Sequence, residues 1–92
     1  MAFAIAFRPE TMDGAQYDEC IRRLEAAGAG APAGRIYHAC HGSGSQLRVF
    51  DVWDSMEAFE RFGSTLKPIL QEIGVDPGPP EITPVHKVLT AG

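Results

Sequence analysis

A chain of 92 residues leaves room for one domain and no more. With 45% hydrophobic and 22% charged residues, the composition excludes a disordered chain. A net charge of −4, with basic residues scattered except at Arg22-Arg23, excludes the electrostatic footprint of a nucleic-acid or anionic-membrane binder.

Met1–Phe7 is apolar, but no basic segment precedes it and Arg8-Pro9-Glu10 ends it, so it does not read as a secretory signal. No apolar run approaches the roughly 20 residues that span a bilayer. The expectation is a single cytoplasmic domain over residues 1–92. Cys20 and Cys40 make no C-x-x-C pair and no disulfide framework, so free thiols are expected.

Ala2–Phe7 alternates Ala with Phe and Ile and predicts a first strand, apolar on both faces. Asp13 offers an N-cap and Gln16 the third-position partner of a capping box. Tyr17, Cys20, Ile21, Leu24 and Ala27 follow at helical spacing, and Gly28–Pro32 ends that helix. Arg35–His41 and Gln46–Trp53 predict two further strands joined by the flexible Gly42–Ser45 connection.

Ser55 caps a second helix, with Glu57 favoured in its first turn by the helix dipole. The apolar stripe of that helix is Phe59, Phe62, Leu66, Ile69, Leu70 and Ile73. Pro68, inside the stripe, predicts a kink or a break, and Gly74 ends the helix. After the stiff Asp76–Pro80 loop, Ile82–Leu89 predicts a last strand in which Pro84 signals an edge or a bulge.

The element order βαββαβ predicts a ferredoxin-like α+β domain with a four-stranded antiparallel sheet. Two helices cover only one face of such a sheet, yet the first and third strands are apolar on both faces. An uncovered apolar face is an interaction surface, and a second copy of the same sheet is its simplest cover, so a homodimer is expected.

The segment Phe50-Asp51-Val52-Trp53-Asp54-Ser55-Met56-Glu57-Ala58-Phe59, followed by Thr65-Leu66-Lys67-Pro68, resembles the antibiotic-biosynthesis-monooxygenase-like members of the dimeric α+β barrel superfamily. Those proteins often show a Trp-x-Ser-x-Glu-Ala-Phe/Tyr turn and a Thr-Pro-type break in the second helix. Gly34–His38 and Pro80–His86 look like an actinobacterial branch of that group. The resemblance implies a cavity between the helices and a dimer-facing sheet. It implies no single chemistry, because the superfamily includes cofactor-free monooxygenases, heme-degrading enzymes, isomerases, cyclases and ligand sensors.

Strand alternation sets Leu47, Val49, Asp51 and Trp53 on one face, and Ile36, His38 and Cys40 on one face of the neighbouring strand. Both sets are expected to point away from the helices, while Phe50, Val52, Tyr37 and Ala39 pack beneath them. His38 with Asp51 would then form a buried pair suited to general base catalysis. Trp53, Phe62, His86 and Cys40 are the expected ligand-binding residues around it, Trp53 as a flat wall for an aromatic or polyketide-like molecule.

The plainer alternatives are a carboxylate bonded to backbone or to Arg48, a satisfied core histidine, a packing tryptophan and an inert thiol. His38 and His41 point to opposite faces, so no shared metal is expected, and no phosphate-cradling glycine loop or nucleophile motif is present.

Three functions follow. The first is a cofactor-independent monooxygenase, cyclase or isomerase that requires no bound cofactor. The second is a non-catalytic ligand-binding dimer. The third is a heme-handling protein using His38 or His86.

Overall fold

The computed structural model describes residues 1–90. Its elements run β1 (Phe3–Phe7), α1 (Gly14–Ala26), β2 (Arg35–His41), β3 (Arg48–Trp53), α2 (Met56–Ile73) and β4 (Glu81–Pro84). The four strands form one antiparallel sheet in the order β2-β3-β1-β4, and the two helices pack on one of its faces. This is the ferredoxin-like α+β order that the sequence predicts.

Each helix begins where its capping chemistry dictates. The Asp13 carboxylate accepts the Gln16 backbone N–H at 2.8 Å, and the Gln16 side chain accepts the Asp13 N–H at 3.0 Å. The reciprocal bonds satisfy donors that the first turn of a helix leaves without partners. Ser55 caps α2 by accepting the Ala58 N–H at 3.1 Å. Gly74 closes it in the left-handed region at φ 86°, where a side chain would be strained. Pro68 does not break α2, which runs unbroken through it. The proline withholds one backbone donor, but the apolar stripe on either side of it stays packed on the same core.

Register decides which side chains meet the helices. Phe3, Ile5 and Phe7 lie opposite Trp53, Asp51 and Val49, and all six share the helix-covered face. Ala4 and Ala6 lie opposite Val52 and Phe50 on the other face. The sequence-based face assignment is therefore inverted. Val49, Asp51, Trp53, His38 and Cys40 point toward the helices, while Tyr37, Ala39, Phe50 and Val52 form the open face. The aromatic volume of α2 explains it: Trp53 is fully buried between Phe59 and Phe62, with ring centres 5.7 and 5.3 Å away. Burying that indole outweighs the cost of bringing Asp51 in with it, since the carboxylate finds hydrogen-bond partners there.

β1 lacks only Ala2 of its expected range, and two strands are shorter by more than that. β3 starts at Arg48 because Gln46 instead bridges to Met12, with Met12 N–H donating to Ser45 O at 2.8 Å. β4 ends at Pro84 rather than Leu89, and it sits at the sheet edge where a residue without an N–H is tolerated. Beyond it, Val85 and the segment Lys87–Thr90 line a groove on the open face with Ile36, Tyr37 and Phe50. Among the described residues no helix is long and apolar enough to cross a membrane.

Candidate functional site

The site is built on two directly opposed residues. His38 of β2 and Asp51 of β3 are register partners, so their side chains leave the sheet side by side on the helix face. His38 Nδ1 lies 2.5 Å from Asp51 Oδ1, and the Trp53 indole N–H donates to Asp51 Oδ2 at 3.3 Å. Asp51 is the one buried charged side chain among the described residues. From the opposite wall, Tyr17 of α1 places its hydroxyl 2.6 Å from His38 Nε2, its ring stacked nearly parallel to the imidazole.

These bonds assign the tautomer. A carboxylate only accepts, so Nδ1 carries the proton and donates it to Asp51. In the neutral imidazole Nε2 is then an acceptor, and the Tyr17 O–H donates to it. The result is a hydrogen-bonded chain Tyr17–His38–Asp51–Trp53 with every ring nitrogen occupied. A heme-ligating role for His38 would break one of its two bonds. Burial pushes the Tyr17 phenol above its ordinary value, with Cys40, Asp51 and Cys20 adding to the shift and Arg35 opposing it. The phenol therefore stays protonated at neutral pH.

The chain opens into a cavity of about 60 Å³ between the helices and the sheet. Tyr17, His38, Asp51, Arg35 and Phe62 line it, with an apolar remainder drawn from both helices. The volume admits a few waters. It is far below the roughly 300–1,000 Å³ of pockets that enclose drug-sized ligands. Pro9 and Met12 of the β1–α1 connection and Val75 and Pro77 of the α2–β4 connection complete the lining at one end. A multi-ring molecule therefore exceeds the cavity as it stands.

Of the residues singled out by sequence, His38, Asp51 and Phe62 come together at this cavity. Trp53 is completely buried behind Asp51, holding the carboxylate rather than facing the space. Cys40 packs against the core outside the lining, and burial, then Asp18, raise its thiol above the ordinary value. His86 lies beyond the end of β4, exposed and away from the cavity.

Solved proteins share this arrangement of elements at low sequence identity. A candidate antibiotic biosynthesis monooxygenase from Chloroflexus aurantiacus superposes with a TM-score of 0.68 at 12% identity, over 100% of both chains. A second, from Caulobacter crescentus, gives 0.64 at 17% identity over 96% of this chain and 91% of that one. SnoaB, a cofactor-independent oxygenase from Streptomyces nogalater, gives 0.61 at 17% identity over 98% and 96%. The chain has the antibiotic-biosynthesis-monooxygenase-like fold. No family model matches the sequence, and no curated protein does.

Within this monooxygenase-like fold, two polar cavity residues escaped the sequence reading. Tyr17 was visible as part of the α1 apolar stripe, and its hydroxyl, a polar atom on a buried face, was the available signal. Arg35 carried no signal. It reaches the cavity because β2 bulges: Arg35 pairs with Trp53 and Tyr37 with Val52, which leaves Ile36 as an extra residue.

Proposed function

We propose that this chain is a small-molecule enzyme of the monooxygenase-like fold that abstracts a proton from an aromatic or polyketide-like substrate without a bound cofactor. The observation that carries the reading is His38, hydrogen-bonded on both sides in the wall of a mostly apolar cavity. Asp51 fixes the Nδ1–H tautomer and stabilises the imidazolium that forms when Nε2 takes up a proton. Oxygenation, cyclisation and isomerisation of such substrates all begin with that loss of a proton. SnoaB, of the same fold, is a cofactor-independent oxygenase, which favours the oxygenase branch.

The protein works as a homodimer in this reading. The open sheet face carries Ile36 at 51%, Tyr37 at 55% and Phe50 at 36% exposure, an apolar group that a second sheet would cover. Free Cys20 and Cys40 suit the reducing cytoplasm.

A hydroxylated anthrone is a suitable probe substrate, because its ring methylene is acidic and its oxidation is visible. The methylene becomes a carbonyl, and O2 supplies that oxygen and one water. Oxygen uptake and quinone absorbance are expected to fall about 10²–10⁴-fold in His38→Ala and in Asp51→Asn. Unchanged turnover in both variants overturns the proton-abstraction reading.

A second reading, a non-catalytic ligand-binding dimer, is favoured by one observation. Tyr17, His38, Asp51 and Trp53 satisfy one another without any ligand. Under that reading the same substitutions lower the melting temperature and leave no turnover to lose.

A further inference from the structure

Arg35 and His38 are three residues apart, so a regular strand would place them on opposite faces. The bulge at Ile36 cancels that parity and delivers a guanidinium and an imidazole to the same cavity wall. The guanidinium donates to Gly30 O at 3.2 Å and lies 5.8 Å from the centre of the Phe62 ring. No carboxylate among the described residues is paired with it. A cation without an acidic partner, at the edge of an apolar cavity, is matched to an anion.

Tyr17 and His38 both line the cavity, and the Tyr17 hydroxyl occupies His38 Nε2. Its one proton is directed to His38 Nε2, so its oxygen lone pairs remain for whatever occupies the space. Resting on the proton-abstraction reading above, we propose that Tyr17 is the catalytic residue that receives the ligand's proton, and that the ligand is a weakly acidic O–H or C–H compound held as its anion beside Arg35. The ligand X–H bond breaks, and its electron pair stays on the ligand. The proton forms a new O–H bond on Tyr17 as the former hydroxyl proton forms the Nε2–H bond of His38. Tyr17 is neutral before and after, in keeping with the protonated state that burial imposes on it. The imidazolium rests against Asp51 and the ligand anion against Arg35. No oxidant or reductant is consumed.

The experiment uses 4-nitrophenol, whose absorbance distinguishes phenol from phenolate, at a pH below the pKa of the free probe. Wild-type protein is expected to bind it as phenolate, with ¹⁵N spectra showing a second N–H on His38. In Tyr17→Phe, checked for fold by circular dichroism, the ionised fraction is expected to fall roughly tenfold or more, and in Arg35→Gln the affinity is expected to fall by a similar factor. The ¹³Cζ shift of Tyr17 in wild-type protein gives a readout that needs no variant, and it is expected to stay that of a neutral phenol throughout.

A Tyr17→Phe protein that ionises the probe and protonates His38 like wild type overturns the relay, while leaving His38 as the direct base. A phenolate-like Cζ shift overturns the relay as well. Wild-type protein that binds only neutral nitrophenol, or none, overturns the anion assignment. Ionisation that persists in His38→Ala overturns the proton-abstraction reading beneath it.

Discussion

Asp51 and His38 sit directly opposite each other on neighbouring strands, with their side chains joined at 2.5 Å by the bond that fixes the imidazole tautomer. The carboxylate is only 3% exposed, so its charge is tolerated only because His38 and Trp53 both donate to it. Asp51→Asn keeps the shape but sets an amide where two donors converge. It is expected to cost about 1–3 kcal/mol, a drop of several degrees in melting temperature for a domain of this size. Loss of the Nδ1–H tautomer is expected in ¹⁵N spectra of the same variant. A variant with an unchanged melting temperature and unchanged imidazole shifts would contradict this account of the pair.

Trp53 is the only tryptophan in the chain and is fully buried, so its fluorescence reports one environment. Trp53→Phe retains contact with the rings of Phe59 and Phe62 but removes the N–H that Asp51 accepts. Trp53→Ala empties the centre of the core and is expected to cost about 3–5 kcal/mol, a large share of the roughly 5–15 kcal/mol that holds an ordinary domain. Trp53→Phe is expected to cost less and to stay folded in chemical denaturation curves. Equal costs for the two would mean that ring packing contributes nothing at this position.

Glu19 holds the arginine that links the two helices. Its carboxylate accepts from Arg22 and from Arg23, and Arg23 also reaches Glu72 of α2 at 2.8 Å. The hydrogen bond from Arg22 is the largest influence, followed by that from Arg23, and together they lower the Glu19 pKa from about 4.5 to about 2. A carboxylate depressed in the folded state contributes stability above its unfolded value, and that contribution is lost as pH falls from about 4.5 toward 2. Acid titrations of stability are expected to be shallower in Glu19→Gln over that window. The difference should shrink in high salt, because the site is exposed. An identical acid limb in the variant would remove Glu19 from the acid response.

Much of this was legible in the residues. Asp13 with Gln16, Ser55 and Gly74 mark helix ends by local chemistry that no distant contact overrides, so the element order could be read directly. His38 and Asp51 could be paired because their strands are joined by a short connection. Which face they occupy was not legible: alternation defines two faces without saying which one the helices cover, and Tyr37 with Phe50 is as apolar a candidate as Val49 with Trp53. Arg35 was hidden by the bulge at Ile36, a β-branched residue that reverses strand parity with no glycine or proline at the bulged position itself. At Pro68, where the sequence allows a kink or a break, no break occurs: one missing N–H is a local cost, and the packed stripe from Phe59 to Ile73 holds the helix through it.

The open face supplies the last prediction. Phe50 stands at the middle of β3 on the side away from both helices, its ring edge-on to Tyr37 at 6.3 Å. It is 36% exposed and contributes nothing to the helix-side core, so a charge there leaves the fold of one chain intact. If a second sheet covers this face, Phe50→Asp places a carboxylate and its twofold mate in an apolar contact, where an unpaired charge costs several kcal/mol. Native mass spectrometry is expected to give two chains for the wild type and one for Phe50→Asp, with the same circular dichroism spectrum. A wild-type monomer would leave the apolar face without its proposed cover, and a dimeric Phe50→Asp would place the contact elsewhere on the surface.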